Sequence, residues 1–189
     1  MTVRRIEKIE GAQEPVSLEL AKSQIRGADC ADEDQLIEHY ISVARSTLED
    51  RLQRTLVRSR WRLQLDAFTP TLELLYPPCV EVQAVRYFDL QGVLQTLDPT
   101  LYQADIDSDP ARLVAAPGSS WPQPQERLNA VQVDYVAGYA DGLVPEPLKQ
   151  WILLAVGDLY EQRTRSSEKP VIAQDFAEGL IENYRILSL

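Results

Sequence analysis

Residues 32–53 read DEDQLIEHYISVARSTLEDRLQ, and this stretch decides the fold that the sequence predicts. Its apolar residues recur at intervals of three and four, which is the spacing of one face of an α-helix. They are Leu36, Ile37, Tyr40, Ile41, Ala44, Leu48 and Leu52. Asp32 is a suitable N-cap, and charged residues such as Arg45 and Glu49 are expected on the other faces. We therefore expect one long helix whose apolar face needs partner helices.

Further helices are predicted on both sides of this stretch. Ser17, which follows Glu14-Pro15-Val16, is expected to cap a short helix that stops near Gly27. Val144-Pro145-Glu146-Pro147 opens a second long helix, because a first turn tolerates proline and favours glutamate. That helix is apolar on more than one face, as in a helix buried among others or at a subunit contact. Residues 1–13 are expected to form a mobile lead-in.

Between the helices the apolar period changes from 3.6 to 2, which predicts β-strands. Trp61, Leu63 and Leu65 alternate with polar residues in the first of them. Further short strands are expected near residues 72–74, 80–87, 93–97, 101–106, 112–114 and 131–135. Residues 89–92 are expected to form a hairpin turn. Short strands with turn signals at roughly 8–12-residue spacing are typical of an antiparallel sandwich or small barrel.

The predicted fold class is therefore α+β, a helical bundle of about four helices with an inserted antiparallel β-region, a small sandwich or barrel. Residues 1–58 would hold the lead-in and the first helices, and residues 59–142 the β insertion. Residues 143–189 would complete the bundle and add a tail. Because the ends of an insertion must lie close together, the two long helices are expected to pack against each other.

The chain of 189 residues carries a net charge of −10, and its acidic residues are spread along its length. Tight nucleic-acid binding needs a Lys/Arg cluster, so it is not expected, and an acidic surface would repel DNA that merely passes nearby. The sequence has neither the roughly 20 apolar residues of a membrane span nor a secretory signal. The simplest interpretation is an intracellular protein in which Cys30 and Cys79 are free thiols. A disulfide between them is the alternative.

No arrangement of residues predicts catalysis or a bound cofactor. His39 is the only histidine, and no nucleophile motif accompanies it. Together with Cys30 and Cys79 it lacks the spacing of a zinc site. Residues 105–109 begin like a calcium loop, but Pro110 stands where that loop needs glycine, so an acidic turn between strands is expected. The sequence therefore predicts a non-enzymatic protein without a metal ion or cofactor.

An ordered series of short motifs runs along almost the whole chain. They are Glu14-Pro15-Val16-Ser17-Leu18, Asp32-Glu33-Asp34, Trp61, Tyr76-Pro77-Pro78, Asp98-Pro99, Trp121-Pro122, Val133-Asp134-Tyr135-Val136-Ala137-Gly138-Tyr139, Val144-Pro145-Glu146-Pro147-Leu148, Tyr160-Glu161 and Tyr184-Arg185. In this order and spacing they resemble the head–tail connector proteins, also called adaptor or head-completion proteins, of tailed bacteriophages and prophages. Smaller members of that family are nearly all helical, so the resemblance implies no role for the β-region.

The resemblance implies a structural virion protein that assembles as a ring, commonly dodecameric, below the portal of the capsid. Such a ring extends the DNA channel and receives a stopper or tail-completion protein. The implied partners are therefore other copies of the chain, the portal protein and that stopper, with DNA only passing through. The implied location is the host bacterial cytoplasm during assembly and then the head–tail junction of the virion. A prophage-encoded protein-binding or regulatory module is the alternative.

Two sets of apolar residues are candidate contact sites. Contacts within the bundle or between subunits are predicted for Leu36, Tyr40, Leu48, Trp151, Ile152 and Leu159. The segment after Pro170 follows a polar loop and is expected to be loosely tied, yet it is more apolar than a free tail needs. From its residues it could dock on its own bundle or on the portal, and the resemblance favours the portal. The candidate portal contacts are Phe176, Leu180, Ile181, Tyr184, Leu187 and Leu189.

Overall fold

A computed structural model describes residues 2–8, 12–25, 33–164 and 174–186. The helices are α1 (Leu18–Gln24), α2 (Asp34–Leu52), α3 (Glu146–Thr164) and α4 (Gln174–Ile181). The strands are β1 (Thr2–Lys8), β2 (Ser59–Leu65), β3 (Thr71–Leu74), β4 (Cys79–Phe88), β5 (Leu94–Thr96), β6 (Tyr102–Asp105), β7 (Ala111–Ala115) and β8 (Val131–Ala137). They form two compact units, a β unit of Met1–Ala12 and Val57–Tyr139 and a helical unit of Gln13–Leu56 and Ala140–Leu189.

The long helix predicted from residues 32–53 is confirmed as α2, although Asp32 itself lies outside the described residues. In the helical unit α2 packs against α3, as expected, and α1 contacts both. The prediction for Ser17 is confirmed as well, because its Oγ accepts a hydrogen bond from Leu20 N at 3.2 Å and caps α1. Apolar side chains fill the space between these helices. The buried ones include Ile37, Ile41, Ala44, Leu48, Leu52, Leu148, Ile152 and Val156.

The β unit contains two antiparallel sheets. One has five strands in the order β1-β2-β8-β4-β5, and the other has three in the order β3-β7-β6. The strands predicted from alternation and from turn signals are present as β2 to β8. The expected hairpin turn joins β4 to β5, where Asp89 N donates to Val93 O at 2.9 Å and Gly92 has a φ of 80°. Both sheets contribute side chains to one apolar core, which includes Leu63, Leu72, Leu74, Val85, Leu113, Val133 and Tyr135.

The predicted fold class, a helical bundle with a β insertion, is wrong. The described residues form a mixed α+β fold of four helices and eight strands in two antiparallel sheets, and the β unit has its own core. Residues 2–8, expected to belong to a mobile lead-in, form β1 and pair with β2. The local sequence TVRRIEK lacks a clear apolar alternation, so only pairing with β2, about fifty residues further along the chain, makes it a strand. Local patterns cannot report such a contact.

Candidate functional site

The described residues contain no obvious reaction centre. Among them, no group of three or more His, Cys, Asp or Glu side chains could hold a metal ion, and none of the helices is long and apolar enough to cross a membrane. The acidic stretch after β6 is a turn between strands, as predicted. Its Asp105 carboxylate accepts hydrogen bonds from Ser108 Oγ at 2.6 Å and from Arg112 Nη2 at 3.0 Å. These bonds and the charge of Arg112 lower the pKa of Asp105, so the carboxylate serves the turn.

Cys79 is a free, buried thiol. Burial raises its pKa to about 11, and this outweighs the weak contact of its sulfur with Glu81 O. A thiol with so high a pKa carries little thiolate at neutral pH and is a poor nucleophile. Cys30 lies outside the described residues.

The predicted contact residues of the long helices fall into two groups. Leu48 and Ile152 are 0% exposed and Trp151 is 8% exposed, so these three belong to the interior of the folded chain. Leu36, Tyr40 and Leu159 are half-buried. Only this second group keeps side-chain surface for a neighbouring molecule.

The C-terminal segment is tied to the helical unit more firmly than its sequence suggests. Helix α4 packs against α3, and Ile181 is 0% exposed. Glu178 pairs with Arg51 and also with Arg185, whose Nη2 lies 2.5 Å from its Oε2. Arg54 Nε donates to the carbonyl oxygen of Tyr184 at 2.5 Å. The described part of this segment is therefore not a free tail.

The predicted portal contacts are consequently divided. Leu180 and Tyr184 are half-buried and keep some accessible surface, whereas Ile181 points into the helical unit. Phe176 lies in α4. Leu187 and Leu189 lie outside the described residues.

A buried ion-pair network in the helical unit was missed by the sequence reasoning. Arg45 and Glu49, expected on the outer faces of α2, are only 6% and 4% exposed. Arg45 Nη1 donates to Glu49 Oε2 at 2.7 Å, and its Nε donates to Glu14 Oε2 at 2.7 Å. Glu49 Oε1 also accepts from Leu56 N at 2.7 Å. The network therefore joins the segment before α1, the middle of α2 and the chain just after α2. It gives each buried charge the partner without which burial would be costly.

A second link in the helical unit joins two of the motifs on which the family resemblance rests. Tyr160 in α3 donates its hydroxyl to Glu33 Oε2 at 2.5 Å. Glu33 directly precedes α2. Motifs far apart in the sequence therefore hold the helices together.

The motifs of the β unit also converge. The Trp61 and Tyr76 rings stack with centroids 4.3 Å apart, and Tyr135 donates its hydroxyl to Leu75 O at 2.6 Å. Gly138 N donates to Pro78 O at 2.9 Å. Gly138 has a φ of +122°, and a Cβ at this position would lie 2.7 Å from the backbone nitrogen of Arg58. Only glycine fits this close approach of two backbones.

One charged cluster lies on the five-stranded sheet. Asp134 on β8 is 6% exposed and accepts hydrogen bonds from Arg62 Nε at 2.6 Å and from Arg86 Nη1 at 2.7 Å. Burial alone would raise the pKa of Asp134. The hydrogen bonds and charges of Arg62 and Arg86 outweigh this effect and hold the pKa below its ordinary value. The cluster thereby links the neighbouring strands β2, β8 and β4, so its role is structural.

No family model matches the sequence, and no curated protein matches it. Among solved structures, a chain of "Neck of empty GTA particle computed with C6 symmetry" has 23% identity and a TM-score of 0.81, with 100% of this chain and 97% of that chain covered. The whole chain shares its fold.

Two further solved structures have the same fold as this chain. A chain of "Virion of native gene transfer agent (GTA) particle" has 21% identity and a TM-score of 0.79. A chain of "Neck of native GTA particle computed with C12 symmetry" has 20% identity and a TM-score of 0.77. Both alignments cover 100% of this chain and 97% of the other. The likeness therefore includes both the helical unit and the β unit.

Proposed function

We propose that this protein is a non-enzymatic structural subunit of the neck of a phage-like particle. The observation that carries the proposal is the whole-chain similarity to a neck chain of a GTA particle, at a TM-score of 0.81 over 100% of this chain. The motif series that resembles phage head–tail connectors supports the same assignment from the sequence. The polar groups of several of these motifs are engaged in internal bonds, as Glu14, Tyr160 and Asp134 show. Such residues stabilise the folded chain and have a structural role.

In this role, copies of the chain form a ring at the head–tail junction, dock on the portal and extend the DNA channel. Two of the similar structures are described as necks computed with C6 or C12 symmetry, which supports a ring of identical subunits. The net charge of −10 fits a channel component, since an acidic wall repels passing DNA and keeps it from sticking. A stopper or tail-completion protein would bind the other side of the ring. Assembly would take place in the host cytoplasm.

For the portal contact we propose the outer surface of the C-terminal segment. Leu180 and Tyr184 retain accessible surface, whereas Ile181 anchors the segment to the helical unit. Anchoring holds the outer side chains in a fixed position, so less conformational entropy is lost when a partner binds. Phe176, Leu187 and Leu189 belong to the same proposed contact.

Mass spectrometry and electron microscopy of purified particles test the proposed function. We expect the protein in many copies per particle, and a ring beneath the portal when the purified protein is mixed with its cognate portal. A protein abundant in the producing cells but absent from particles would refute the proposal and favour a regulatory module. The portal contact is tested with Leu180→Asp, which should fold but fail to join portal-containing heads. Leu20→Asp, at a 45% exposed site on α1, is the matched control.

A further inference from the structure

The outer face of helix α2 carries no acidic residue, lysine or arginine from Leu36 to Thr47. Six residues of this stretch fall within an arc of roughly 120° opposite the buried side of the helix, at about 100° per residue. They are Leu36, His39, Tyr40, Val43, Ser46 and Thr47, all exposed or half-buried, and we call them the α2 stripe. Glu38 lies on the flank of the helix and Arg45 on its buried side, and Asp50 follows where the stripe ends. Surface helices usually carry charged residues on this face, so the stripe is suited to burial against another molecule.

The polar groups of the α2 stripe are compatible with such burial. Ser46 Oγ and Thr47 Oγ1 each donate to the carbonyl oxygen of the residue four positions earlier, both at 2.9 Å. Because these hydroxyls are bonded within the helix, covering them would leave no donor without an acceptor. The rings of His39 and Tyr40 lie 6.3 Å apart, and each side chain has a hydrogen-bond donor. The stripe therefore offers apolar surface and two donors side by side.

A second surface lies on the outer side of α3, around Gly157. A glycine inside a helix makes that helix less stable than alanine would. Nothing in the fold requires this glycine, because a Cβ at Gly157 would meet no atom of another part of the chain within 4 Å. Gly138, by contrast, is required by a close backbone approach within the chain. Another helical glycine with open space, Gly179, lies in the C-terminal segment that we assign to the portal contact. At Gly157 the backbone of α3 is left open to close approach by a neighbouring molecule.

Asp158, the next residue of α3, adds a chemical preference to this surface. It is half-buried and has no hydrogen bond or ion pair with any other residue that the structure describes. Burial and, to a smaller extent, the charge of Glu161 raise the pKa of Asp158. A partly desolvated carboxylate beside a second carboxylate gains from any donor that approaches it. Side chains such as His39 and Tyr40 of the α2 stripe are donors of this kind.

We propose that the α2 stripe of one copy packs on the α3 surface around Gly157 and Asp158 of a second copy. The inference rests on the proposed function, because a ring of identical subunits joins two different surfaces of each copy head to tail. Within the helical unit α2 and α3 pack against each other, so their outer faces point in different directions, as such a ring requires. Val43 would lie against the open backbone at Gly157. The lack of acidic residues in the stripe also limits repulsion between copies that each carry a net charge of −10.

Cross-linking tests this contact directly. The double variant Val43→Cys/Glu161→Cys, with both cysteines at exposed positions, is treated with a short bismaleimide and analysed on a denaturing gel. The reaction is carried out on purified particles and on concentrated purified protein. A ladder of covalent oligomers is expected for the double variant, and monomers for each single variant. The unmodified protein controls for the native cysteines. Dimers from Val43→Cys alone would mean that two α2 stripes face each other, and they would overturn the proposal.

Filling the open space at Gly157 separates assembly from folding. Gly157→Leu should be no less stable than the unmodified protein in urea, because the side chain meets nothing in its own chain. Its incorporation into particles should nevertheless fall about tenfold or more, since the added side chain overpacks the contact. Val43→Glu, at a 37% exposed site, should show the same loss, whereas Leu143→Glu, at a 71% exposed site, should enter particles normally. Unchanged incorporation of Gly157→Leu and Val43→Glu would overturn the proposed contact.

The outcomes also separate this inference from the proposed function. Protein that is present in particles but gives no ladder there would overturn the helix contact and leave the neck assignment intact. If the protein never enters particles, the neck assignment fails, and the purified protein decides about the contact. A ladder from the purified double variant would then support the contact, and monomers alone would overturn it as well.

Discussion

Replacing Glu49 by alanine tests the buried network that joins the segment before α1 to the C-terminal half of α2 and the chain just after it. The change removes an acceptor from Arg45 Nη1 and another from Leu56 N, both at 2.7 Å. Removing one partner of a buried ion pair costs about 3–5 kcal/mol, because the remaining charge stays buried. Glu14 still accepts a hydrogen bond from Arg45 Nε at 2.7 Å, so we expect the lower end, about 3 kcal/mol.

The free energy of unfolding is measured by urea denaturation, followed by far-UV circular dichroism, which reports on the helices. A shift of the midpoint at constant slope isolates the change in stability. Glu49→Gln should cost less than Glu49→Ala, since its amide oxygen can still accept the bond from Leu56 N. This ordering distinguishes the lost charge from the lost hydrogen bond.

The matched control is Glu146→Ala. Glu146 pairs with Lys149 at 2.9 Å, but its side chain is 85% exposed. Exposed ion pairs contribute little, so the control should change stability by no more than about 0.5 kcal/mol. If Glu49→Ala also costs less than about 1 kcal/mol, the network is not a buried stabilising element and the reasoning is refuted.

Three further predictions concern the rest of the chain. Gly138→Ala should destabilise the β unit by about 1–3 kcal/mol through backbone strain and overpacking, whereas Gly157→Ala, in helix α3 with free space around it, should be neutral or stabilising in the same urea assay. The pKa of Asp134 is lower in the folded state than in the unfolded state. The ionised Asp134 therefore stabilises the fold above the ordinary carboxyl pKa, and this contribution is lost as the pH falls through the lowered pKa of the folded state. In Asp134→Asn the free energy of unfolding should consequently fall less steeply with decreasing pH on the acidic side. An unchanged pH dependence there would contradict this. Ile181→Ala should cost about 2–5 kcal/mol because Ile181 is fully buried, and thermal melts that show no difference from Leu143→Ala would exclude α4 from the core.

Much of the secondary structure can be predicted from local periodicity in the sequence. Helix α2 and strands β2 and β8 were predicted because each has its own apolar repeat, of three to four residues in the helix and of two in the strands. Strands such as β5 and β6 were predicted from short stretches bounded by turn residues and prolines. The caps and turns have local signals too, such as Ser17 before α1 and the glycine of the hairpin turn after Asp89. These features depend on neighbours within a few residues, so a sequence pattern records them.

The sequence also predicts the contact between α2 and α3, because each of these long helices has apolar residues that must be buried against another element. The candidate contact residues were predicted less well. Apolar character marked Leu48 and Ile181 as contacts of some kind but could not tell an internal contact from an external one. Exposure separates them, and exposure depends on which elements surround a side chain.

The tertiary structure alone decided the remaining features. Arg45 and Glu49 interrupt the apolar pattern of α2, yet they are buried because Glu14, 31 residues before Arg45, completes the network. Strand β1 exists through its pairing with β2, and β5 has no further strand beside it among the described residues. Each of these depends on groups distant in sequence that meet only after folding. For that reason the sequence predicted the helices and most of the strands, whereas strand β1, the buried charges of α2 and a β unit of two sheets with its own core emerged only from the folded chain.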